Sequence, residues 1–248
     1  MNITYKDEGQ GEVILLIHGF CGSSEYWNEV IPSLASVYRV IAIDLPGHGD
    51  SADQPALSGI EDYATCIKDF LEALHIDRVT MFGHSLGGYI TLAFAEMYGS
   101  RLNGFSLVHS TALPDSEEAQ KGREASAEKI DKEGMEAFID GLVLKLFSPS
   151  SLESLQVDVK EIGNITSSEG AKRALHAMKT RKDRRYILEN TTLPVLLVAG
   201  EDDQLIPPEK TFTSKGVNIK QVLVSGVGHM SMYEKPEELV RSLVEFMK

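Results

Sequence analysis

Arg78-Val-Thr-Met-Phe-Gly-His-Ser-Leu-Gly-Gly-Tyr-Ile-Thr-Leu-Ala-Phe-Ala-Glu-Met97 reads as a strand that runs straight into a helix. Val79, Met81 and Phe82 make a short buried run, and from Leu86 onward Ile90, Ala93, Phe94 and Met97 recur at helical spacing. Between them Gly83-His84-Ser85-Leu86-Gly87 fits G-x-S-x-G. A strand feeding directly into a helix holds its joining residue in a left-handed turn. Side chains two positions to either side would collide with that turn, and glycine at 83 and 87 removes the collision. The Ser85 oxygen then projects above the sheet. The Leu86 N–H, at the positive end of the helix, points to where an oxyanion would form. Many loops satisfy G-x-S-x-G; the strand before it and the helix after it make Ser85 a candidate nucleophile for attack on a carbonyl.

Outward from this stretch the chain keeps the same rhythm. Residues 2 to 8 suit an edge strand. Val13–Ile17 is a continuous apolar run, as expected of a strand covered on both faces. A helix carrying Trp27, Val30, Ile31 and Leu34 follows, then a strand over Arg39–Ile43 and a helix over about 60–74. After the Ser85 segment comes a strand over Leu102–Val108. From about 113 to 190 no strand is apparent, only helical stretches near 116–133, 135–147, 152–162 and 169–181. Because a structureless loop of that length is uncommon, a helical insertion is expected there. Strands at Pro194–Ala199 and Lys220–Val224 resume the alternation, with a short helix near 208–214 between them and a last helix over about 236–247. The pattern predicts an α/β fold: a doubly wound, mostly parallel sheet with an all-helical cap, residues 1–112 and 191–248 forming the core and 113–190 the cap.

The 248 residues are 42% hydrophobic with a formal net charge of -13, which disfavours a nucleic-acid partner because phosphates require clustered Lys and Arg. The N-terminus lacks an apolar signal-like run and no segment approaches a membrane span, so no membrane partner is expected and a cytoplasmic location is. Two cysteines, Cys21 and Cys66, make no disulfide framework, and no histidine pair has metal-ligand spacing.

Reacting groups in open α/β sheets gather beyond the carboxyl ends of the strands. The loops expected there carry His18-Gly-Phe, Ser85, Asp202-Asp203 and His229. His229, in Gly226-Val-Gly-His after the last strand, suits a general base. The matches His18-Gly19, Asp44-x-x-Gly47-x-Gly49-x-Ser51, Gly83-His-Ser-Leu-Gly87, Gly200-x-x-Asp203-x-x-x-Pro207 and Gly228-His229 resemble the α/β-hydrolase fold superfamily over essentially the whole chain. The resemblance implies a catalytic triad of Ser85, Asp203 and His229. It also implies an oxyanion hole from the Phe20 and Leu86 amides, a structural role for His18, and no metal, nucleotide or redox cofactor. Asp44 reads as structural and His109 as a strand end near the pocket.

His84, Phe138, Leu142 and Met230 are the candidate pocket residues, and Leu146 and Phe147 share the same insertion. Apolar residues at helical spacing more often simply pack. The basic run Lys179–Arg185 reads as a solvated helix end, its alternative being recognition of a carboxylated substrate. The expected activity is carboxylesterase-like hydrolysis of an ester or lactone through an acyl-enzyme. The alternatives are an enol-lactonase or lyase acting on a small carboxylated substrate, which would need cationic residues such as Arg123, Arg181 or Arg185 facing the pocket, and a hydrolase-like small-molecule receptor.

Overall fold

A computed structural model describes residues 3–55, 57–151 and 153–248. Seven strands form one sheet: β1 (Tyr5–Glu8), β2 (Val13–Ile17), β3 (Arg39–Ile43), β4 (Val79–His84), β5 (Leu102–Val108), β6 (Val195–Gly200) and β7 (Ile219–Val224). Their order is β1-β3-β2-β4-β5-β6-β7; β1 pairs antiparallel with β3, and every other pairing is parallel. The chain steps outward from β2 to β3 and then crosses back to β4, so the winding reverses between β2 and β4. That reversal opens a crevice beyond the carboxyl ends of the central strands. Every residue of β4 and β6 is buried, as expected of strands covered on both faces. The proposed edge strand over 2–8 is present as Tyr5–Glu8, and residue 2 lies outside the described residues.

The helices are α1 (Ile31–Ala35), α2 (Ile60–Ala73), α3 (Leu86–Tyr98), α4 (Glu117–Val143), α5 (Glu153–Ile165), α6 (Ser168–Lys179), α7 (Arg185–Asn190), α8 (Pro208–Thr211), α9 (Ser231–Glu234) and α10 (Pro236–Phe246). On one face of the sheet α2 packs on α3; on the other, α10 sets Phe246 against Phe82 of β4 and α1 lies beside it. Trp27, Val30, Ile31 and Leu34 are all buried, but as a 3-10 turn (Ser24–Trp27) followed by α1 rather than one helix, with Pro32 at the start of the second piece.

Between β5 and β6 the described residues hold helices only. The stretches expected near 116–133 and 135–147 are the two arms of α4, which bends at Gly134, where φ is 83° and ψ 173°. Glycine is the residue that tolerates this conformation without strain. The second arm stops at Val143, short of 147. The stretch expected over 152–162 appears as Glu153–Ile165, and residue 152 lies outside the described residues.

The basic run departs from expectation. Lys179 ends α6, but Arg181 and Arg184 are buried and do not form a solvated helix end. Arg184, with its side chain 2% exposed, places Nη2 2.7 Å from Glu61 on α2 and Nε 2.9 Å from Glu96 on α3, and its amide donates to the Ala112 carbonyl at 2.9 Å. The end of the insertion is thereby pinned to the two helices that flank the elbow. Charged residues are this buried only where partners neutralise them. Those partners lie 88 and 123 positions away in the chain, beyond the reach of local pattern reading.

Candidate active site

Ser85 joins β4 to α3 with φ 50° and ψ -112°, a left-handed conformation rare for a residue with a side chain. The turn is held from both sides. Ser85 N–H donates to the Val108 carbonyl at 3.0 Å, and the Ser85 carbonyl accepts from the Gly88 amide at 2.9 Å and the Ser110 hydroxyl at 2.7 Å. A Cβ on Gly83 would sit 2.3 Å from the Gly87 carbonyl oxygen, the collision expected from the sequence. Gly87 has a different reason: its Cβ would meet the Ile17 carbonyl at 2.4 Å, so the helix start lies against the neighbouring strand β2.

His229, beyond β7, and Asp203, beyond β6, meet across that end of the sheet. His229 Nδ1 is 2.7 Å from Asp203 Oδ2, and both side chains are buried. Asp203 Oδ1 accepts the Leu205 and Ile206 amides, each at 2.9 Å. Burial alone would raise the pKa of this carboxyl, but the adjacent His229 and His109 imidazoles outweigh it and hold Asp203 well below the usual carboxylate range. With a carboxylate on Nδ1, the His229 ring carries its proton there and leaves Nε2 free as a base.

Sequence reasoning located His109 only near the pocket. It follows β5 directly with a positive φ of 48°, and its Nε2 is 2.7 Å from the Ser231 hydroxyl. Its Nδ1 lies 3.4 Å from Asp203 Oδ2, a contact too poorly directed to count as a well-formed hydrogen bond. Two imidazoles therefore face one carboxylate. His109, Asp203 and His229 bring ligand-type atoms within 4.8 Å of one another. Ligands around a tetrahedral zinc stand about 3.3 Å apart, so the 2.7 Å His229–Asp203 contact suits a shared proton better than a shared ion.

Among the described residues neither the Phe20 nor the Leu86 amide donates to a protein acceptor; Leu86 opens α3 directly after Ser85, and Phe20 lines the same cavity as Ser85. His18 organises the loop before Phe20: Nδ1 bonds the Gly19 carbonyl at 2.7 Å, and Nε2 accepts the Leu45 amide at 2.9 Å. Burial pulls its pKa down to about 4, partly offset by the Gly19 bond, so the ring stays neutral. Asp44 accepts the Ser24 amide at 2.6 Å and the Asp50 amide at 2.8 Å, a scaffold role. Cys21 is buried next to this loop, and burial pushes its thiol pKa up, the reverse of what a nucleophile needs.

A cavity of about 490 Å³ opens on Ser85 and His229. Of the candidate pocket residues, His84, Leu142 and Met230 line it, as does Leu146. Phe138 does not; its ring packs edge-on at 6.0 Å against Phe20, which does line the cavity, so Phe138 stands one layer behind the wall. Phe147 is likewise buried outside the lining. His84 Nε2 bonds the His229 carbonyl at 2.9 Å, and burial, then the neighbouring His229 and His109, lowers its pKa. Arg123, Arg181 and Arg185, which sequence alone left unplaced, all reach the cavity, together with Lys210.

Glu234 was also missed. Its carboxylate accepts the Gly228 amide at 2.9 Å, the Ser148 amide at 2.9 Å and the Ser151 hydroxyl, while His229 N–H donates to the Leu146 carbonyl at 2.7 Å. The loop bearing His229 is thus stitched to residues 146–151 of the insertion.

The family model described as the alpha/beta hydrolase fold matches residues 12–236. A thermophilic esterase from Thermogutta terrifontis is 27% identical, with a TM-score of 0.93 over 99% of this chain and 92% of that one. An enol-lactonase from Burkholderia xenovorans superposes at a TM-score of 0.91 over 99% of this chain and 96% of its own; at 22% identity that likeness is one of fold. The dihydrolipoyllysine-residue acetyltransferase component of the acetoin cleaving system from Pseudomonas putida is 27% identical over 96% of this chain, which spans 64% of that longer relative.

Proposed function

The chain belongs to the alpha/beta hydrolase fold family and is an enzyme of that fold; from this premise we propose that it is a serine hydrolase cleaving a carboxylic ester or lactone through an acyl-enzyme. One observation carries the proposal: Ser85, held at a positive φ, opens onto the same cavity as His229, whose far ring nitrogen is bonded to the buried Asp203.

In this mechanism His229 Nε2 takes the Ser85 hydroxyl proton as the oxygen attacks the carbonyl. Asp203 fixes the tautomer and stabilises the imidazolium without taking up the proton itself. The Phe20 and Leu86 amides hold the oxyanion. The imidazolium gives its proton to the leaving alcohol, and water repeats the sequence on the acyl-enzyme to release the acid and free Ser85.

The test is Ser85→Ala assayed on p-nitrophenyl butyrate: turnover should fall on the order of 10⁶-fold with an unchanged circular-dichroism spectrum. Activity surviving in the folded variant would refute the assignment. Near-stoichiometric release by the wild type, without sustained turnover, would instead mark a receptor of the same fold.

A further inference from the structure

The lining of the cavity is of two kinds. Phe20, Leu142, Leu146, Met178 and Ile206 make an apolar part. The rest carries four cations, Arg123, Arg181, Arg185 and Lys210, against two carboxylates, Asp115 and Asp183, an excess of two positive charges in a chain whose net charge is -13. These residues lie where the insertion joins the core. Asp115 sits on the segment entering it, and Arg181 to Arg185 lie on the segment leaving it. Lys210 of α8 is tied to the former by a 2.5 Å bond from the Thr111 hydroxyl to its carbonyl.

Structural pairing consumes only part of this charge. Asp115 is shared, with Oδ2 3.1 Å from Arg123 Nε and Oδ1 bonded to Arg181 Nη1. Arg181 spends its remaining bonds on the Leu113 and Met178 carbonyls and lies with its guanidinium carbon 4.1 Å from the centre of the Tyr89 ring. Among the described residues, Arg181 Nη2, both Arg123 Nη groups and Lys210 Nζ have no protein acceptor. A guanidinium presents five N–H donors in a planar fork, the geometry that matches a carboxylate.

We infer that this wall binds a carboxylate, so that the substrates opened at Ser85 are short esters or lactones bearing a free carboxyl group. The inference rests on the serine-hydrolase reading. Arg181 lies over Tyr89, four residues beyond Ser85 on α3, so the cationic wall and the serine open on one cavity of about 490 Å³, which suits short substrates. The apolar lining receives the methylenes between the reacting carbonyl and the charge.

Monomethyl adipate and methyl hexanoate have the same chain length and differ in the terminal charge. Followed by proton release, the wild type should favour the monoanion by about tenfold or more in kcat/KM, and Arg123→Gln and Lys210→Gln should each reduce that ratio about fivefold, through KM. Added salt should reduce it too. Equal kcat/KM for the two esters, or variants that slow both equally as a purely structural ion pair would, overturns the anion site and leaves Ser85 as the nucleophile. Failure to turn over either ester counts against the serine reading instead. The anion site is then decided by titrating monomethyl adipate into the wild-type protein by calorimetry: saturable binding that weakens in Arg123→Gln supports it, and no binding overturns it.

Discussion

At the residue scale, Asp203 best shows how burial and pairing set chemistry. Its carboxylate has every oxygen engaged, by two amides on one side and two imidazoles on the other. Asp203→Asn keeps the shape but presents an amide where His229 needs an acceptor, and the flipped tautomer would direct an N–H at Ser85. A loss in kcat of about 10⁴-fold with little change in KM is expected, measured by steady-state hydrolysis of p-nitrophenyl butyrate. A decrease under tenfold would mean that another group orients the imidazole. The positive-φ turn at Ser85 and the meeting of Asp203 with His229 were legible because each residue sits in a short motif fixed by local backbone geometry, as the 2.3 Å clash barred at Gly83 illustrates. His109 was not: a histidine after a strand carries no pattern that reports a carboxylate arriving from residue 203.

At the scale of the element, α4 shows where periodicity serves and where it fails. The spacing marked two helical stretches, and the structure joins them at Gly134, whose φ of 83° re-aims the arm that carries Leu142 toward the cavity. Which residues of that arm meet the substrate was not legible, since Phe138 and Leu142, four positions apart, share a helix face and are separated only by the Phe20 ring packed against Phe138. Gly134→Ala has open space for its methyl group but an unfavourable φ, so the fold should lose about 1 kcal/mol. Because the bend positions Leu142, KM for acyl chains of different length should change more than kcat. Parallel changes in both, or none, across a C2 to C8 ester series would show that the bend has no part in chain-length selection.

For the whole molecule, the succession of strands and helices followed from the alternation of apolar runs, and the doubly wound, mostly parallel sheet appeared as expected. The contacts that seat the insertion were illegible because they are long-range: Arg184 on Glu61 and Glu96, and Glu234 across to Ser148. Four of the five buried histidines impose a property on the entire fold. Burial lowers His18 to about 4 and His48 to about 3, and also lowers His84 and His109. The native state holds them neutral while the unfolded chain protonates them near 6.5. Their contribution is therefore intact above pH 6.5 and is lost as pH falls toward the folded values. Each ring contributes a slope of up to about 1.4 kcal/mol per pH unit. Urea midpoints should be flat from pH 8 to 7 and fall steeply from 6.5 to 4.5; a flat profile down to pH 5 would contradict the burial of these rings.

The stitching of Glu234 and Leu146 across to the His229 loop restricts how small molecules can come and go. Were residues 146–151 to rise, they would pull on the loop that carries His229, so the proposed mechanism requires that corner to stay shut through turnover. Arg185 and Lys210 line the same cavity and are open to solvent. If the proposed substrate enters past them, entrance and charge recognition coincide, and the acid released by hydrolysis leaves between the same cationic doorposts.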